Sequence, residues 1–368
     1  MRELGIPLLL ITIKARITAL IQTEQPEIFR KVAPDGSQFR VSDSWVRKFV
    51  MEKLGWTFRK ATQKAHKLPD DADSQLTISW YRHAFVIFYY DIPAELRVNG
   101  DQTQIVLQPP SCFTYDTRGT HQVPIIGKDE KRAFTLMTSA SASGDLLPFQ
   151  AIFKGRSAVS LPNSSPSDPE LKEAYDEATR LGFRFEFAGE SDTYWATLQT
   201  MKNWVDYILV PYFQTKKAVL GLRPDHSCIL QLDVWPVHTS EEFRVWMWEN
   251  HREIILIYVP GGCTGTWQPC DVGLQRPLKQ AVVSQQNEAR IQEVTSKLES
   301  GKEFATLRLD ESIKHLRDQV PSSLVYAYNL ISPKTEFIKA VRFRFFFVIW
   351  RTVTLIDFLP PRHLQTVV

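Results

Sequence analysis

Apolar residues recur at helical spacing in two segments near the start of the chain. The first, PLLLITIKARITALIQ, spans residues 7–22, and the second, VSDSWVRKFVMEKLG, spans residues 41–55. In the second segment, Ser42 or Asp43 is suited to cap the N-terminus of a helix, and Gly55 is suited to end it. A turn-forming stretch, APDGSQ, separates the two. The pattern therefore predicts a small all-α domain of the helix-turn-helix type.

The pattern changes after a polar stretch, DDADSQ, at residues 70–75, which is predicted to be a linker. Beyond it, apolar runs with the length and spacing of strands alternate with runs typical of helices. Ser143, Gly144 and Asp145 indicate a hairpin between two strands, and Pro211 is expected to end a helix. The predicted elements, in chain order, are a helix at 74–92, a strand at 95–107, two strands within 133–155, a loop at 161–170, a helix at 193–213, a strand at 226–235, a helix at 240–250, a strand at 252–260 and a helix at 270–294.

This element order predicts an α/β fold. Three strands in series, followed by units of one strand and one helix, form a mixed sheet with helices on its faces. The order strand, strand, strand, helix, strand, helix, strand, helix is that of a ribonuclease-H-like fold. The sequence therefore predicts a ribonuclease-H-like mixed sheet with flanking helices, preceded by the small all-α domain.

The charge of the chain is unevenly distributed. Residues 1–68 contain 13 Lys and Arg against 6 Asp and Glu, a net charge of +7, so the remainder carries −4 within the total of +3. A basic segment before a mildly acidic body suggests binding to a polyanion, although a solvated basic surface would give the same count. Trp45 and Phe49 are expected in the core of the helical domain. The cations predicted to contact phosphate are Arg47, Lys48, Arg59, Lys60, Lys64 and Lys67.

The composition predicts a soluble intracellular protein without a membrane partner. The apolar run at 7–13 is followed by Lys14 and Arg16 rather than by a cleavage site, and the run at 345–350 is too short to span a bilayer. The four cysteines are too few and too scattered for a disulfide framework, and their spacing does not suit zinc, which predicts free thiols in a reducing compartment.

Three aspartates fall at element ends that meet at one edge of such a sheet. Asp101 lies on the first predicted strand, Asp233 ends the fourth within ILQLDVWPVH, and Asp271 lies in the first turn of the helix after the fifth. Three carboxylates within reach of one point need counter-charge, which divalent ions with oxygen ligands supply. Two such ions could promote in-line displacement at a phosphodiester. The alternative is that each aspartate caps a turn or a helix on its own.

Several blocks of the sequence, taken together, match one family. They are FRVSDSWVRKFV, RKATQKAHKLP, LRVNGDQTQIV, GKDEKRAFTLMTSASASGDLLPFQAIFKG, TYWATLQTMKNWVDYILVPYF, LDVWPVHTSEEFRVWM and VPGGCTGTWQPCDVGLQRPLK. With these blocks the chain resembles transposases of the pogo/Tigger group, which have a DDE-type endonuclease domain and a centromere-protein-B-like helix-turn-helix. The fungal members are the most similar. The resemblance extends from about Leu8 to about Lys339.

The resemblance implies a catalytic triad of Asp101, Asp233 and Asp271. The same three residues are expected to bind two ions of Mg²⁺ or Mn²⁺. His238 and Gln268 stand where the family commonly has His and Gln, which implies supporting roles such as orienting DNA or a metal-bound water. For His238, a loop histidine hydrogen bonded to the backbone is an equally open interpretation. Lys279 is a candidate phosphate contact, and a solvated lysine is the alternative.

The resemblance also implies a domain organisation. The domains are a helix-turn-helix DNA-binding domain at 1–69, a linker and helix at 70–94, a DDE endonuclease domain at 95–295 and a C-terminal helical extension at 296–368. Family members usually carry two N-terminal DNA-binding units, whereas this chain begins within or just before the second. The first domain is therefore expected to be truncated. After about Val341 the sequence no longer resembles the family.

The implied function is that of a nuclear DNA transposase. It is expected to bind the double-stranded ends of a transposon through its N-terminal domain, as a homodimer on DNA, and to cleave and transfer strands through the triad. Two alternatives stay open: a transposon-derived nuclear DNA-binding protein without catalytic activity, and a ribonuclease-H-like nuclease that does not transpose. The three aspartates favour catalysis, and the basic helical domain disfavours the plain nuclease.

Overall fold

The computed structural model describes residues 10–55, 68–108, 132–189, 193–300 and 309–339. The chain divides into two compact units, Met1–Lys67 and Leu68–Val368. Within the described ranges, no helix combines the length and the apolar character needed to cross a bilayer. The cysteines of these ranges, Cys228, Cys263 and Cys270, are free and buried. Cys112 and the apolar run at 345–350 lie outside the described residues.

The described part of the N-terminal unit contains α1 (Leu10–Glu24) and α2 (Asp43–Leu54). Ser42 Oγ accepts a hydrogen bond at 3.2 Å from a backbone N–H in the first turn of α2, so Ser42 rather than Asp43 is the N-cap. Gly55 follows α2 with a φ of 64°, a left-handed conformation that glycine adopts without strain. The second predicted helix therefore has the predicted bounds.

A row of aromatic rings lies between the turn and α2. The ring centroids of Phe29 and Phe39 are 6.0 Å apart, those of Phe39 and Trp45 are 5.1 Å apart, and those of Trp45 and Phe49 are 5.1 Å apart. Trp45 and Phe49 are half-buried, whereas Val46 is fully buried. The two aromatic residues that were expected in the core thus pack against each other but stay partly accessible.

The larger unit contains a sheet and its covering helices. The strands are β1 (Arg97–Val106), β2 (Ala133–Ser141), β3 (Gln150–Phe153), β4 (Arg184–Phe187), β5 (Cys228–Leu232) and β6 (Ile254–Tyr258). The helices are α3 (Ala72–Tyr89), α4 (Pro169–Arg180), α5 (Leu198–Trp204), α6 (Val210–Val219), α7 (Pro236–Thr239), α8 (Glu241–Asn250), α9 (Thr264–Trp267), α10 (Gln275–Glu299), α11 (Ile313–Asp318) and α12 (Val320–Ile331). Two π-helical turns, Val205–Leu209 and Cys270–Leu274, join α5 to α6 and lead into α10.

The six strands form one mixed sheet in the order β4-β3-β2-β1-β5-β6. Strands β1, β2 and β3 are antiparallel neighbours, whereas β5 pairs parallel with β1 and β6 pairs parallel with β5. An antiparallel trio extended by parallel strands on the far side of β1 is the ribonuclease-H-like arrangement. The predicted fold class is therefore confirmed.

Apolar side chains cover both faces of the sheet. On one face, α5, the first π-helical turn, α6 and α8 contribute a cluster that includes Trp204, Phe213 and Phe243. On the other face, α4, α10 and α12 contribute a cluster that includes Leu278 and Leu324. Burial of both faces explains why β5, with the sequence CILQL, is buried along its whole length. β1 lies inside the sheet, between β2 and β5, and β5 lies between β1 and β6.

Residues 169–187 differ from the sequence prediction, which placed no element there. The loop was predicted at 161–170, but it ends at Asp168, whose Oδ1 accepts a hydrogen bond at 2.9 Å from the N–H of Glu170 and so caps α4. Strand β4 follows and pairs parallel with β3 at the edge of the sheet. Asp233 therefore follows the fifth strand, not the fourth, and Asp271 follows the sixth. Because β4 lies beyond β3, β1 and β5 stay adjacent as predicted.

Pro211 does not end its helix, contrary to the prediction. The helix passes from α5 through the first π-helical turn into α6 and reaches Val219. Proline has no N–H to donate and crowds the carbonyl four residues back, and a π-helical turn before it accommodates both effects. In that turn the N–H of Val210 bonds to the carbonyl of Val205. The predicted linker at 70–75 is also wrong in part, because α3 begins at Ala72.

Candidate active site

The sheet brings Asp101 and Asp233 to the same end of two neighbouring strands. Strands β1 and β5 pair in parallel up to Asn99 and Gln231. Asp101 lies two residues beyond Asn99, and Asp233 lies two residues beyond Gln231. Because residues two apart on a strand share a face, this register places both carboxylates on one face at the carboxyl end of the parallel pair.

Asp101 is buried on the central strand, with 5% of its surface exposed. Its Oδ1 accepts a hydrogen bond from the backbone N–H of Gln102 at 2.8 Å, and its Oδ2 accepts one from Nε2 of Gln275. Thr103 Oγ1 donates to Oε1 of Gln275 at 2.8 Å, which fixes the orientation of that amide. These partners are neutral, so they orient the carboxylate of Asp101 without cancelling its charge.

Hydrogen bonds hold the segment that carries Asp271 against β1. The backbone N–H of Cys270 donates to Oδ1 of Asn99 at 3.0 Å. Nε2 of Gln268 donates to a backbone carbonyl of β1 at 3.4 Å, and the Gln268 side chain is fully buried. These contacts bring Asp271 within hydrogen-bonding reach of Asp101, while Asp271 also faces solvent. Gln268 thus positions the segment of the third aspartate.

Burial and neighbouring charge raise the pKa of two of the three carboxyl groups, Asp101 and Asp271. Burial raises the pKa of Asp101 well above its usual range, and the charges of Asp271 and Asp233 raise it further. Burial also raises the pKa of Asp271, against the lowering effect of its hydrogen bond with Asp101. Of the two, Asp101 is the group whose neutral form the fold favours more strongly.

His238 orients Asp233. The His238 ring is 1% exposed, and its Nδ1 lies 2.6 Å from Oδ1 of Asp233. Its Nε2 lies 3.0 Å from Nε2 of Gln102. Because an amide nitrogen is a donor, Nε2 of the ring accepts this hydrogen bond and Nδ1–H donates to the carboxylate. His238 therefore forms a hydrogen bond with a carboxylate side chain. One interpretation of the sequence had it hydrogen bonded to the backbone alone.

Lys279 lies on α10, eight residues after Asp271. Burial lowers the pKa of Lys279, whereas the charges of Asp271 and Asp101 oppose that shift. The ammonium group is half-buried within electrostatic range of both carboxylates. Lys279 is therefore more than a solvated surface lysine, and it places positive charge beside the two aspartates.

Gly100 allows the helix layer on the opposite face to approach β1 next to Asp101. A Cβ atom at Gly100 would lie 2.8 Å from Cε of Met137, 3.2 Å from Cη2 of Trp204 and 3.4 Å from Cδ2 of Leu232. Trp204 is fully buried. The glycine therefore lets a large aromatic ring support the strand from behind, which holds the carboxylate in place.

The chemistry of the donor set fits a hard divalent cation such as Mg²⁺ or Mn²⁺. As placed, no group of three or more His, Cys, Asp and Glu side chains in the described residues is arranged to hold a metal ion. Asp101 and Asp271 lie against each other, and Asp233 is drawn to His238. Desolvated carboxylates with raised pKa values are nevertheless the groups whose repulsion a divalent ion relieves.

The predicted DNA-contacting cations lie in the N-terminal unit. Arg47 and Lys48 are exposed on α2, where both side chains are accessible to a ligand. The others lie outside the described residues: Arg59, Lys60, Lys64 and Lys67.

Sequence reasoning missed three polar residues of this site, Gln275, Gln102 and Asn99. Gln275 lies four residues after Asp271 on a helical segment, so the helical period could have indicated it. Gln102 and Asn99 flank Asp101, but their partners His238 and Cys270 are 136 and 171 residues away along the chain. Such contacts leave no local signal in a sequence.

Comparison with known proteins identifies the family of this chain. Residues 130–327 match the family described as DDE superfamily endonuclease, and this range is more than half of the chain. The chain belongs to the DDE superfamily endonuclease family. The matched range contains Asp233 and Asp271, whereas Asp101 lies before it.

Two curated proteins are similar to this DDE-family chain. The human protein "Pogo transposable element with KRAB domain" is 24% identical over 269 residues, which cover 72% of this chain and 39% of that protein. The mouse protein of the same description is 24% identical over 268 residues, with the same coverage. The chain thus spans about 39% of the length of these relatives. The resemblance to pogo/Tigger-type proteins is confirmed, while the centromere-protein-B-like helix-turn-helix and the fungal type stay predictions.

Solved structures of a mariner transposase are also similar to the DDE-family chain. The "Mos1 transposase paired-end complex with left transposon end" is 14% identical, covers 87% of this chain and 78% of its own, and has a TM-score of 0.39. The "Crystal structure of the Mos1 mariner paired end complex with Mn" is 14% identical, covers 86% and 78%, and has a TM-score of 0.40. TM-scores of this size are too low to support a conclusion about this chain.

Proposed function

We propose that this chain is a transposase-like DNA endonuclease that cleaves and transfers DNA strands with a divalent metal held by Asp101, Asp233 and Asp271. The observation that carries the proposal is the meeting of three carboxylates from β1, the end of β5 and the segment before α10. Their charges act on one another, with Asp101 desolvated at the centre. Membership of the DDE superfamily endonuclease family supports the same reaction class.

The metal would neutralise the three carboxylates and make a water and a phosphodiester reactive toward each other. Two ions of Mg²⁺ or Mn²⁺ suit three carboxylates with open positions for phosphate oxygens. Within this scheme Gln275 holds the Asp101 carboxylate and His238 holds the Asp233 carboxylate. Gln268 keeps the Asp271 segment against β1. Lys279 supplies positive charge that attracts a phosphate of the DNA backbone.

The N-terminal unit would supply the binding of double-stranded DNA at the transposon ends. Arg47 and Lys48 on α2 present two cations to a phosphate backbone, and residues 1–68 carry a net charge of +7. We place the protein in the nucleus, where its DNA substrate would lie. On DNA we expect two copies, since one transposon has two ends.

A second candidate function is binding of DNA without cleavage, as a nuclear protein derived from a transposase. One observation favours it: the carboxylate of Asp233 is hydrogen bonded to His238, and as placed the described residues contain no group of three or more His, Cys, Asp and Glu side chains that could hold a metal ion. The two functions differ in one outcome, which is strand cleavage that depends on a divalent metal.

The deciding experiment is nicking of a supercoiled plasmid that carries the end sequences of the transposon that encodes this chain. The wild type should nick it with Mg²⁺ or Mn²⁺ and not with EDTA. Asp101→Asn and Asp271→Asn should lose more than about 100-fold in rate, because even the outer partners of a metal contribute up to that factor. Asp225→Asn, an exposed carboxylate paired with Arg223 at 2.5 Å, is the matched control and should cleave normally. Binding of the plasmid without nicking by the wild type would support the second candidate.

A further inference from the structure

Three aromatic rings form a row beside the candidate site. The ring centroids of Tyr194 and Trp195 are 5.4 Å apart, and those of Trp195 and Trp235 are 5.5 Å apart. Both pairs are tilted by 36°. We call these three residues the aromatic row. It combines one residue from the loop after Asp233 with two from the loop before α5.

The aromatic row is tied to two of the three aspartates through the chain. Trp235 lies two residues after Asp233. The hydroxyl of Tyr194 accepts a hydrogen bond at 2.8 Å from Nε2 of Gln104, which lies three residues after Asp101 on β1. The row therefore lies near the carboxyl ends of β1 and β5, reached from Asp233 along the chain and from the face of β1 opposite to that of Asp101.

The loop that carries Tyr194 and Trp195 is held rigidly at its end. Thr197 Oγ1 accepts from the backbone N–H of Thr200, and Thr200 Oγ1 accepts from the backbone N–H of Thr197. This capping box fixes the start of α5. Ala196, between the row and the cap, is buried. The rings are thus presented by an anchored segment, which limits the entropy lost when a ligand binds.

The row is not part of the hydrophobic core. Trp195 is 40% exposed, whereas the core aromatic Trp204 is fully buried. Trp235 is half-buried, and its indole Nε1 is buried without a hydrogen-bond partner among the described residues. The exposed indole of Trp195 presents a flat apolar surface to water, which another flat ring would cover favourably.

We propose that the aromatic row is a stacking subsite for an unpaired nucleobase next to the phosphate that is cleaved. This inference rests on the proposed function, because it takes DNA as the ligand. The carboxylates would engage the backbone through metal, whereas the row offers only ring faces and so suits a base of any sequence. Stacking there would hold the strand that leaves the duplex during cleavage. The ligand class is a single-stranded nucleotide, not a paired one, because a paired base has both faces covered.

The test compares two DNA probes in EDTA, so that binding is measured without cleavage. One probe is a duplex with a short single-stranded extension, and the other has the same extension made of abasic nucleotides. The wild type should bind the first more tightly. Trp195→Ala should lose about 5- to 150-fold for the first probe, the range for loss of one stacked base, and should bind the abasic probe as the wild type does. Trp195→Phe should restore most of the difference.

Trp248→Ala is the matched control. Trp248 is 64% exposed on α8 and packs under Arg252 with a guanidinium-to-centroid distance of 5.1 Å. It lies outside the aromatic row and should leave both affinities unchanged. Thermal midpoints of the variants show that each is folded.

The proposal is overturned if the wild type binds both probes equally, or if Trp195→Ala weakens both equally. It is also overturned if Trp248→Ala causes the same loss as Trp195→Ala. A wild type that distinguishes the probes but never nicks DNA with Mg²⁺ would refute the proposed function and leave the stacking subsite standing. A wild type that nicks DNA but ignores the bases would do the reverse, and one that binds neither probe would refute both.

Discussion

His238 Nδ1 lies 2.6 Å from Oδ1 of Asp233, and Nε2 of the same ring lies 3.0 Å from the side-chain amide of Gln102. The histidine therefore links the carboxylate after β5 to β1, the strand that carries Asp101. Its backbone carbonyl accepts a hydrogen bond at 2.7 Å from the hydroxyl of Tyr258, at the end of β6. Three neighbouring strands thus determine where the Asp233 carboxylate points.

Replacement of His238 tests whether its hydrogen bond with Asp233 contributes to metal binding. His238→Ala should raise the Mg²⁺ concentration for half-maximal cleavage by about 10- to 100-fold, the usual effect of losing an outer partner of a metal ligand. The free energy of unfolding should also fall by about 1–3 kcal/mol, because buried polar partners lose their hydrogen bonds. His238→Asn, whose amide can take the place of Nδ1–H, should restore part of the Mg²⁺ response. A variant with lower stability but an unchanged Mg²⁺ requirement would give His238 a structural role only.

The metal-free protein should be stabilised by removal of one site charge. The pKa of Asp101 is raised in the folded state, so this group keeps a proton that the unfolded chain releases, and stability falls as pH rises from about 4 through the raised pKa. Asp271→Asn removes one cause of that rise and offers an amide donor to Asp101. The variant should therefore be more stable than the wild type at neutral pH, by on the order of 1 kcal/mol, and equal to it near pH 4.

Thermal midpoints of both proteins across that pH range, with EDTA, measure this difference. Addition of Mg²⁺ should reverse the order, since only the wild type keeps all three carboxylates. A variant that is less stable than the wild type at neutral pH without metal would show that the carboxylates do not repel one another in the fold.

The position of the three aspartates could be predicted because Asp101 lies within a strand, Asp233 follows a strand and Asp271 opens a helical segment, and these features are local. The short strand β4 was missed because it has only four residues, and only pairing with β3 makes it a strand. The prediction that β1 and β5 are neighbours was still correct, because β4 pairs with β3 at the opposite edge of the sheet. The helix through Pro211 was missed because a π-helical turn depends on the packing of the whole helix.

The pairing of Asp101 with its side-chain partner could not be predicted, because that partner comes from a distant part of the chain. Nothing in the residues around Asp101 indicates that Gln275 will donate to it from 174 residues away. The interpretation of His238 as a residue bonded only to backbone was equally open from the sequence, since the choice between backbone and carboxylate depends on a side-chain orientation. Local patterns thus gave the positions of the carboxylates, and only tertiary contacts gave their partners.

Gly100 should tolerate no side chain without cost. Gly100→Ala would bring a Cβ to within 2.8 Å of Met137 and 3.2 Å of Trp204. Relief of this overlap should lower the free energy of unfolding by about 1–3 kcal/mol and slow cleavage, because β1 shifts beside Asp101. Urea unfolding and nicking rates measure both effects. Gly265→Ala is the matched control, because its Cβ would meet no atom within 4 Å, and it should match the wild type in both assays.

DNA binding should depend on salt through the cations of α2. Exposed Arg47 and Lys48 are expected to contact phosphates, so replacement of either by Ala should reduce the slope of log affinity against log salt concentration by about one. Arg223→Ala, an exposed arginine of the larger unit that pairs with Asp225, should leave the slope unchanged. Fluorescence anisotropy with a labelled duplex over a range of salt concentrations gives the slopes. Equal slopes for the wild type and both α2 variants would remove these residues from the DNA interface.

The most direct test of the three-carboxylate site is the single-turnover cleavage rate of Asp233→Asn with saturating DNA and Mg²⁺. Asparagine keeps the size of the side chain and can still accept from His238, but it removes the charge that would hold the ion. Cleavage should fall by more than about 100-fold, with DNA affinity and thermal midpoint close to those of the wild type. Cleavage at the wild-type rate by Asp233→Asn would contradict the account and leave Asp233 as the cap of a turn after β5.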